Sequence, residues 1–201
     1  MLCRLFVAIC VCTLFISFGG QSTTLAAKQE ISGSCIEILD PIRPGETASV
    51  VKDFQCFATF AEVIEYLSKG QVVVPHDTKP YELTQEMADH IAAISGSTLL
   101  GIQYELVNYR TDPQAGWDSF SRATANSDAC NGYSYGRPSM ESGWNNVIQS
   151  ARIMHASCKV FEHYDGTSWT GDRIFCTPNC ADMGVPPSGM NQRTSSWRIT
   201  G

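Results

Sequence analysis

Apolar and polar positions change their spacing several times in the first hundred residues. The segment Cys35-Ile36-Glu37-Ile38-Leu39 alternates with a period of two, which predicts a short strand. A helical spacing, closed by Gly70, is seen at Phe57, Phe60, Ala61, Ile64 and Leu67. A second short helix is predicted over residues 84–94, with Thr84 as its N-cap and Gly96 after its end. Residues 28–97 are therefore predicted to form a small α+β segment.

The pattern changes at Leu99. Beyond it, short strand-like pieces alternate with clusters of Gly, Asn, Ser, Asp and Pro, and no helical period persists. This is typical of a sandwich or barrel of short strands. Residues 145–153 match residues 191–199 in kind and order, and an aromatic-Glu pair precedes each stretch, at Tyr104-Glu105 and at Phe161-Glu162. Two such units predict a duplicated Greek key whose halves stack to bury one core.

The N-terminus has the layout of a secretory signal peptide over residues 1–27. Arg4 is followed by an apolar run from Leu5 to Phe18, and the small residues 23–27 offer a cleavage site. The run is shorter than the roughly 18 residues of a membrane span, and a retained membrane anchor is the competing interpretation. The signal predicts a secreted, extracellular protein without stable membrane insertion.

Charge and cysteine content narrow the possible partners. The net charge is −6, and it becomes −7 when Arg4, the single charged residue of 1–27, is removed. An acidic protein lacks the basic surface that nucleic acids require. Six cysteines lie beyond residue 27, and an even number in an exported chain indicates disulfides: Cys35, Cys56, Cys130, Cys158, Cys176 and Cys180.

Cysteine spacing suggests one pairing. Cys35 and Cys56 stand alone in the N-terminal third, so we expect them to pair with each other. The other four cysteines then pair among themselves, in an order that the sequence leaves open. A zinc site at Cys176 and Cys180 is the competing possibility, although no second close pair of Cys or His accompanies them.

Several motifs in order resemble the βγ-crystallin superfamily. The motifs are Cys130 to Tyr135, Gly143 to Asn146, Phe161 to Tyr164 with Trp169 to Gly171, and Met190 to Ile199. The chain looks most like the secreted bacterial branch that includes a metalloproteinase-inhibitor family. The resemblance implies a mostly β fold, in which two Greek-key motifs of residues 98–201 form a βγ-crystallin-like sandwich behind the α+β segment.

The resemblance also implies a calcium motif, because this superfamily binds calcium at paired turns. The two copies read Asn145-Asn146-Val147-Ile148-Gln149-Ser150 and Asn191-Gln192-Arg193-Thr194-Ser195-Ser196. Gln149 and Gln192 depart from the pattern, and neither copy carries a carboxylate. We therefore expect calcium to bind weakly or at one site, with ligands drawn from Asn145, Asn146, Val147, Asn191, Arg193 and Ser195. The alternative is that these residues only hydrogen-bond their own turns.

Recognised catalytic spacings are missing from the sequence. There is no His-Glu-x-x-His pair, no Gly-x-Ser-x-Gly elbow and no phosphate-binding glycine loop. Glu162 and His163 are adjacent, so a strand would point them to opposite faces. We therefore expect that the protein is not an enzyme. We also expect it to be a monomer.

Two functions remain, and they differ in class. The resemblance suggests a proteinase inhibitor acting on an extracellular protease, with Gly132–Gly143 and Cys176–Met190 as candidate loops. The alternative is a calcium-binding structural or surface-binding module without a protease target.

Overall fold

A computed structural model describes residues 33–111, 117–186 and 189–201, so the predicted signal peptide lies outside the described residues. The described chain is mostly β, with two short helices. The helices are α1 (Phe60–Leu67) and α2 (Gln85–Ser95). The strands, in chain order, are β1 (Gly33–Leu39), β2 (Val51–Phe57), β3 (Thr98–Tyr104), β4 (Trp117–Thr124), β5 (Ser134–Arg137), β6 (Ser150–Ile153), β7 (Val160–Tyr164), β8 (Arg173–Cys176), β9 (Asn179–Cys180) and β10 (Ser196–Thr200).

The strands form two sheets that exchange one strand each. The six-stranded sheet has the order β2-β1-β4-β3-β6-β9, and the four-stranded sheet has the order β5-β10-β7-β8. In chain order β5 belongs to the first Greek key, yet it pairs with β10 of the second. Likewise β9 belongs to the second key and pairs with β6 of the first. The orders β4-β3-β6-β9 and β8-β7-β10-β5 are therefore equivalent, which confirms the predicted double Greek-key, βγ-crystallin-like sandwich.

The N-terminal strands extend the first of these sheets. β1 pairs parallel with β4, and β2 pairs antiparallel with β1 at the outer edge. A disulfide joins Cys35 to Cys56, which face each other in that register. The boundary placed at residues 97/98 stays a prediction, because sheet pairing alone does not say whether the segment folds by itself.

Two apolar clusters lie on opposite faces of the six-stranded sheet. The cluster between the sheets includes Phe120, Tyr135, Trp144, Phe161 and Trp197, all fully buried. The other cluster packs the apolar faces of α1 and α2 against the outer face of the sheet. The outer face of the four-stranded sheet has no such helical cover among the described residues.

Local signals set both helices as the sequence predicts. Thr59 and Glu62 form a reciprocal capping box at the start of α1, so this helix begins three residues later than the apolar spacing starts. Thr84 caps α2, and Gly96 ends it in the left-handed conformation. No helix in the described part of the chain is both long and apolar enough to cross a membrane.

The remaining cysteines form two more disulfides, Cys130–Cys158 and Cys176–Cys180. Because the sulfurs of Cys176 and Cys180 are bonded to each other, these residues are not free thiolate ligands for zinc. The zinc alternative is therefore set aside.

Candidate functional site

Two turns of equivalent geometry face each other between the Greek keys. The first turn (residues 145–150) and the second turn (residues 191–196) each hold their second residue at positive φ, 61° for Asn146 and 55° for Gln192. The N–H of Asn146 donates to Thr194 O at 3.0 Å, and the N–H of Gln192 donates to Ile148 O at 3.0 Å. The two turns therefore lock each other in place through reciprocal main-chain hydrogen bonds.

Each turn is also tied to the end of the first strand of its own key. Gln149 N–H donates to Tyr104 O at 2.9 Å, and Ser195 N–H donates to Tyr164 O at 2.7 Å. The hydroxyls of Ser150 and Ser196 donate at 2.6 Å to the hairpin carbonyls of residues 106 and 166. The two copies of the internal repeat therefore make equivalent hydrogen bonds.

These bonds correct one detail of the sequence alignment. Tyr104 is equivalent to Tyr164, the last residue of β7, and not to Phe161 near its start. The sequence pattern matched an aromatic-Glu pair in each copy. In the structure, the strand end that accepts the bond from the turn defines the equivalence.

The first turn presents oxygen donors of several kinds. Asn145 and Asn146 are exposed, and Val147 is half-buried in the same turn. Ser195 reaches across from the second turn, and its Oγ donates to Asn146 Oδ1 at 3.4 Å. Two amide oxygens, one backbone carbonyl and one hydroxyl are the donor types that calcium accepts. The donor set fits calcium, although it contains no carboxylate.

The second turn is already engaged by the protein itself. Arg193 forms ion pairs with Asp165 and with Asp172, the latter at 2.8 Å. Asn191 Nδ2 donates to Asp182 Oδ1 at 2.9 Å. The Arg193 guanidinium and the Asn191 amide nitrogen are therefore both committed to carboxylates, whereas the buried Asn191 Oδ1 has no hydrogen-bond partner among the described residues.

Of the six predicted calcium ligands, the structure brings Ser195 against Asn146, whose chain neighbours are Asn145 and Val147, while Asn191 and Arg193 contact carboxylates. In the described part of the chain, no three His, Cys, Asp or Glu side chains are grouped so that they could hold a metal ion. Any cation at the first turn would depend on neutral oxygen donors.

A buried charged cluster lies between the sheets, and the sequence analysis missed it. Arg122 is fully buried and donates to Glu37 Oε1 at 2.5 Å and to Gln103 Oε1 at 2.5 and 2.9 Å. Glu141 lies 3.3 Å from the same guanidinium, which stacks over the rings of Phe120 and Trp197. The sequence did carry a signal for Glu37, because this residue alternates with Cys35 and Leu39 on the face of the strand that was expected to point into the core.

Burial perturbs the ionisation of this cluster. Desolvation raises the pKa of Glu37 to about 8, against the opposing attraction of Arg122. Desolvation, with the nearby Arg122 charge, lowers the pKa of His163 to about 3. Glu37, Arg122 and His163 are almost completely inaccessible, so no substrate in solvent can reach them. We assign the cluster a structural role.

The adjacent pair Glu162 and His163 behaves as the strand pattern predicts. His163 faces the core, whereas half-buried Glu162 faces outward and accepts a hydrogen bond from Tyr164. The two side chains therefore cannot act together as an acid–base pair.

One solved structure is similar to this chain, a βγ-crystallin from an Archaea. The two share 18% identity, the alignment covers 50% of this chain and 95% of that one, and the TM-score is 0.33. No protein-family model matches the chain, and no curated protein matches it. The fold assignment rests on the strand order and the paired turns, and not on this match.

Proposed function

We propose that the protein is a secreted, non-enzymatic binding module that holds one calcium ion at its first turn. The observation that supports this is the position of Ser195, whose hydroxyl lies 3.4 Å from Asn146 Oδ1 across the paired turns. Three disulfides and the signal-like N-terminus suit an extracellular protein, where calcium is abundant.

The proposed site is weak because its protein ligands are uncharged. Extracellular calcium modules have dissociation constants on the order of 10⁻⁴ to 10⁻³ M, and sites gain affinity as carboxylates are added. Four protein oxygens leave the remaining positions of a six- to eight-oxygen shell to water. The second turn stays metal-free in this proposal, since Arg193 already neutralises Asp165 and Asp172.

Thermal melts with and without calcium test the proposal. With a dissociation constant of about 10⁻⁴ M, 10 mM calcium stabilises the fold by about 2.7 kcal/mol. For a chain of this size, that corresponds to a rise in Tm of roughly 5 to 10 °C. Magnesium at the same concentration is expected to give a smaller rise, because it demands tighter octahedral geometry.

Two substitutions at equivalent positions supply the matched control. Asn146→Gly removes the amide oxygen from the first turn and keeps the left-handed backbone, and it is expected to abolish the calcium shift. Gln192→Gly makes the same change at the second turn and is expected to leave the shift intact. A calcium shift that survives Asn146→Gly would contradict the assignment.

Proteinase inhibition is the second candidate, and one feature favours it. Met183 and Met190 are fully buried, and Met190 N–H donates to Met183 O at 2.8 Å. This hydrogen bond holds residues 183 and 190 together, and Val185, two residues after Met183, is 56% exposed. A segment anchored in this way can enter a protease cleft at a low entropy cost.

The other candidate loop, Gly132–Gly143, does not suit inhibition. It contains β5, and Tyr135 within it is fully buried in the core between the sheets. Because β5 lies within this stretch, the expectation of a loop over all of Gly132–Gly143 is wrong, and four residues are too few for a strand's period to be seen in the sequence.

Inhibition assays against secreted metallo- and serine proteases test the second candidate. Stoichiometric, reversible inhibition that is lost in Val185→Asp and retained in Val73→Asp would support it, since Val73 is exposed far along the chain from this segment. Simple digestion of the added protein by every protease would exclude it.

A further inference from the structure

A groove of about 950 Å³ opens at one end of the sandwich. It lies between the loop that follows β1 and the region where β5 and β10 meet, and the backbone of residues 200–201 also contributes to it. The side chains that matter here are Pro41, Arg43, Glu46, Tyr133, Ser134 and Arg198. None of them belongs to the paired turns, so the groove is separate from the proposed calcium site.

Main-chain hydrogen bonds hold the walls of the groove in place. Ile42 N–H donates to Ser134 O at 2.8 Å, and Ser49 N–H donates to Gly136 O at 2.9 Å. Gly136 N–H in turn donates to the hydroxyl of Ser49 at 3.1 Å. Both ends of the loop are thus fixed to β5, so the groove exists before any ligand arrives, and a preformed site loses little entropy on binding.

Arg198 is positioned by its packing. Its register partner on β5 is Gly136, where an added Cβ would lie 3.3 Å from Arg198 Cγ and 2.7 Å from Trp197 O. The arginine stem therefore passes where only glycine leaves room. Its Nη2 donates to Ser134 Oγ at 3.3 Å, and its Cζ lies 5.5 Å from the centre of the Trp169 ring.

The charges in the groove are not matched internally. Neither Arg43 nor Arg198 forms an ion pair with any described residue, and the buried Nε of Arg198 has no acceptor there. Glu162 stands next to Arg198 in the sheet, but its carboxylate accepts from Tyr164. Glu46 on the rim accepts the backbone N–H of Arg43 at 3.0 Å. Two arginines without carboxylate partners are notable in a chain of net charge −6.

The groove also offers flat apolar surface. Tyr133 is 42% exposed beside Ser134, and Pro41 lines the same groove. An aromatic ring next to a cation and a hydroxyl can contact one face of a sugar ring while the polar groups bind its substituents. Arginine matches a carboxylate with two parallel hydrogen bonds.

We propose that this groove binds carboxylated sugars, the uronic-acid units of acidic extracellular polysaccharides. Arg198 and Arg43 bind the carboxylates, Ser134 contributes a hydroxyl, and Tyr133 lies against a sugar ring. An acidic peptide would satisfy the arginines too, but it would make less use of the flat surface of Tyr133.

Calorimetric titration with a short oligogalacturonate tests the proposal, with chelator present so that calcium cannot bridge protein and sugar. The acid form is expected to bind, and its methyl-esterified form to bind roughly tenfold or more weakly. Arg198→Gln is expected to weaken binding by a similar factor. Arg173→Gln is the control, since Arg173 is on the same sheet, stacks over Phe175 and lies outside the groove.

Several outcomes would overturn the proposal. Equal binding of the acid and the ester, equal loss in the two arginine variants, or no binding of the acid would each do so. A glutamate peptide or inorganic phosphate that binds as tightly as the sugar would replace it with a general anion site. If Arg198→Gln lowers the melting temperature, the exposed-residue variants Arg43→Gln and Tyr133→Ser carry the same test.

Discussion

Removing Arg122 from the space between the sheets is the perturbation whose consequences the structure defines most closely. Arg122→Met keeps much of the side-chain volume but leaves Glu37 and Glu141 facing each other without their shared cation. Removing one partner of a buried ion pair costs about 3 to 5 kcal/mol, because the carboxyl groups left behind lose their guanidinium hydrogen bonds and either stay desolvated or take up a proton. Glu37→Leu is expected to cost less, since Glu141 and Gln103 still contact the guanidinium.

The double variant Glu37→Leu/Arg122→Met gives the decisive comparison. It removes both buried charges, and replacing a buried pair with apolar residues is often close to neutral. We therefore expect the sum of the losses in unfolding free energy of the two single variants to exceed the loss in the double variant by about 2 kcal/mol or more. Urea unfolding at pH 9, where Glu37 is mostly ionised because its pKa is about 8, measures all three free energies of unfolding with the disulfides intact.

The exposed pair Lys52–Asp40 is the matched control. These groups lie 3.1 Å apart with 58% and 27% of their side chains accessible, so their coupling should stay below about 1 kcal/mol. If the costs at Glu37 and Arg122 simply add to within about 0.5 kcal/mol, the two residues are not coupled and the assigned cluster is wrong.

Three further changes test other parts of the account. The pKa of His163 is about 3 in the folded protein and 6.5 in the unfolded chain, so the stability that neutral His163 contributes above pH 6.5 is lost as the pH falls toward 3. The variant His163→Phe should therefore show a flatter dependence of the free energy of unfolding on pH in urea melts over this range. An unchanged slope would contradict the burial argument. Replacing both cysteines of the Cys130–Cys158 disulfide by serine should lower the free energy of unfolding by about 4 kcal/mol, and the same change at Cys176–Cys180 by about 2 kcal/mol. The difference arises because the first disulfide closes a loop with a sequence separation of 28 residues and the second a loop with a separation of 4. The reverse order of the two losses would count against the chain-entropy argument. Thr59→Ala should cost about 1 kcal/mol by removing the N-cap of α1, and a neutral result by thermal melt would show that the capping box is not stabilising.

The elements that the sequence predicted well are those set by neighbours along the chain. The strand around Ile36, both helices and both turns depend on local periodicity, capping residues and left-handed positions, all of which can be read over about ten residues. The pairing of Cys35 with Cys56 was also predictable, because no other cysteine lies in that third of the chain.

Features that depend on distant pairing could not be predicted in the same way. Whether β5 pairs with β6 or with β10 is decided by the packing of two sheets, and a four-residue strand carries too few positions to show its period. The role of Arg193 became visible only when folding brought Asp165 and Asp172 to it. The groove at Arg198 likewise needs the N-terminal loop to lie against β5.

The most direct test of the central claim is a calorimetric titration of the chelator-treated protein with calcium. Our proposal is one ion per chain, with a dissociation constant on the order of 10⁻⁴ to 10⁻³ M, because the first turn offers oxygen donors and Arg193 of the second turn already pairs with two carboxylates. Binding of two ions would show that the ion pairs of Arg193 do not exclude a metal from the second turn. The absence of any binding up to 10 mM would contradict the assignment of calcium to the first turn.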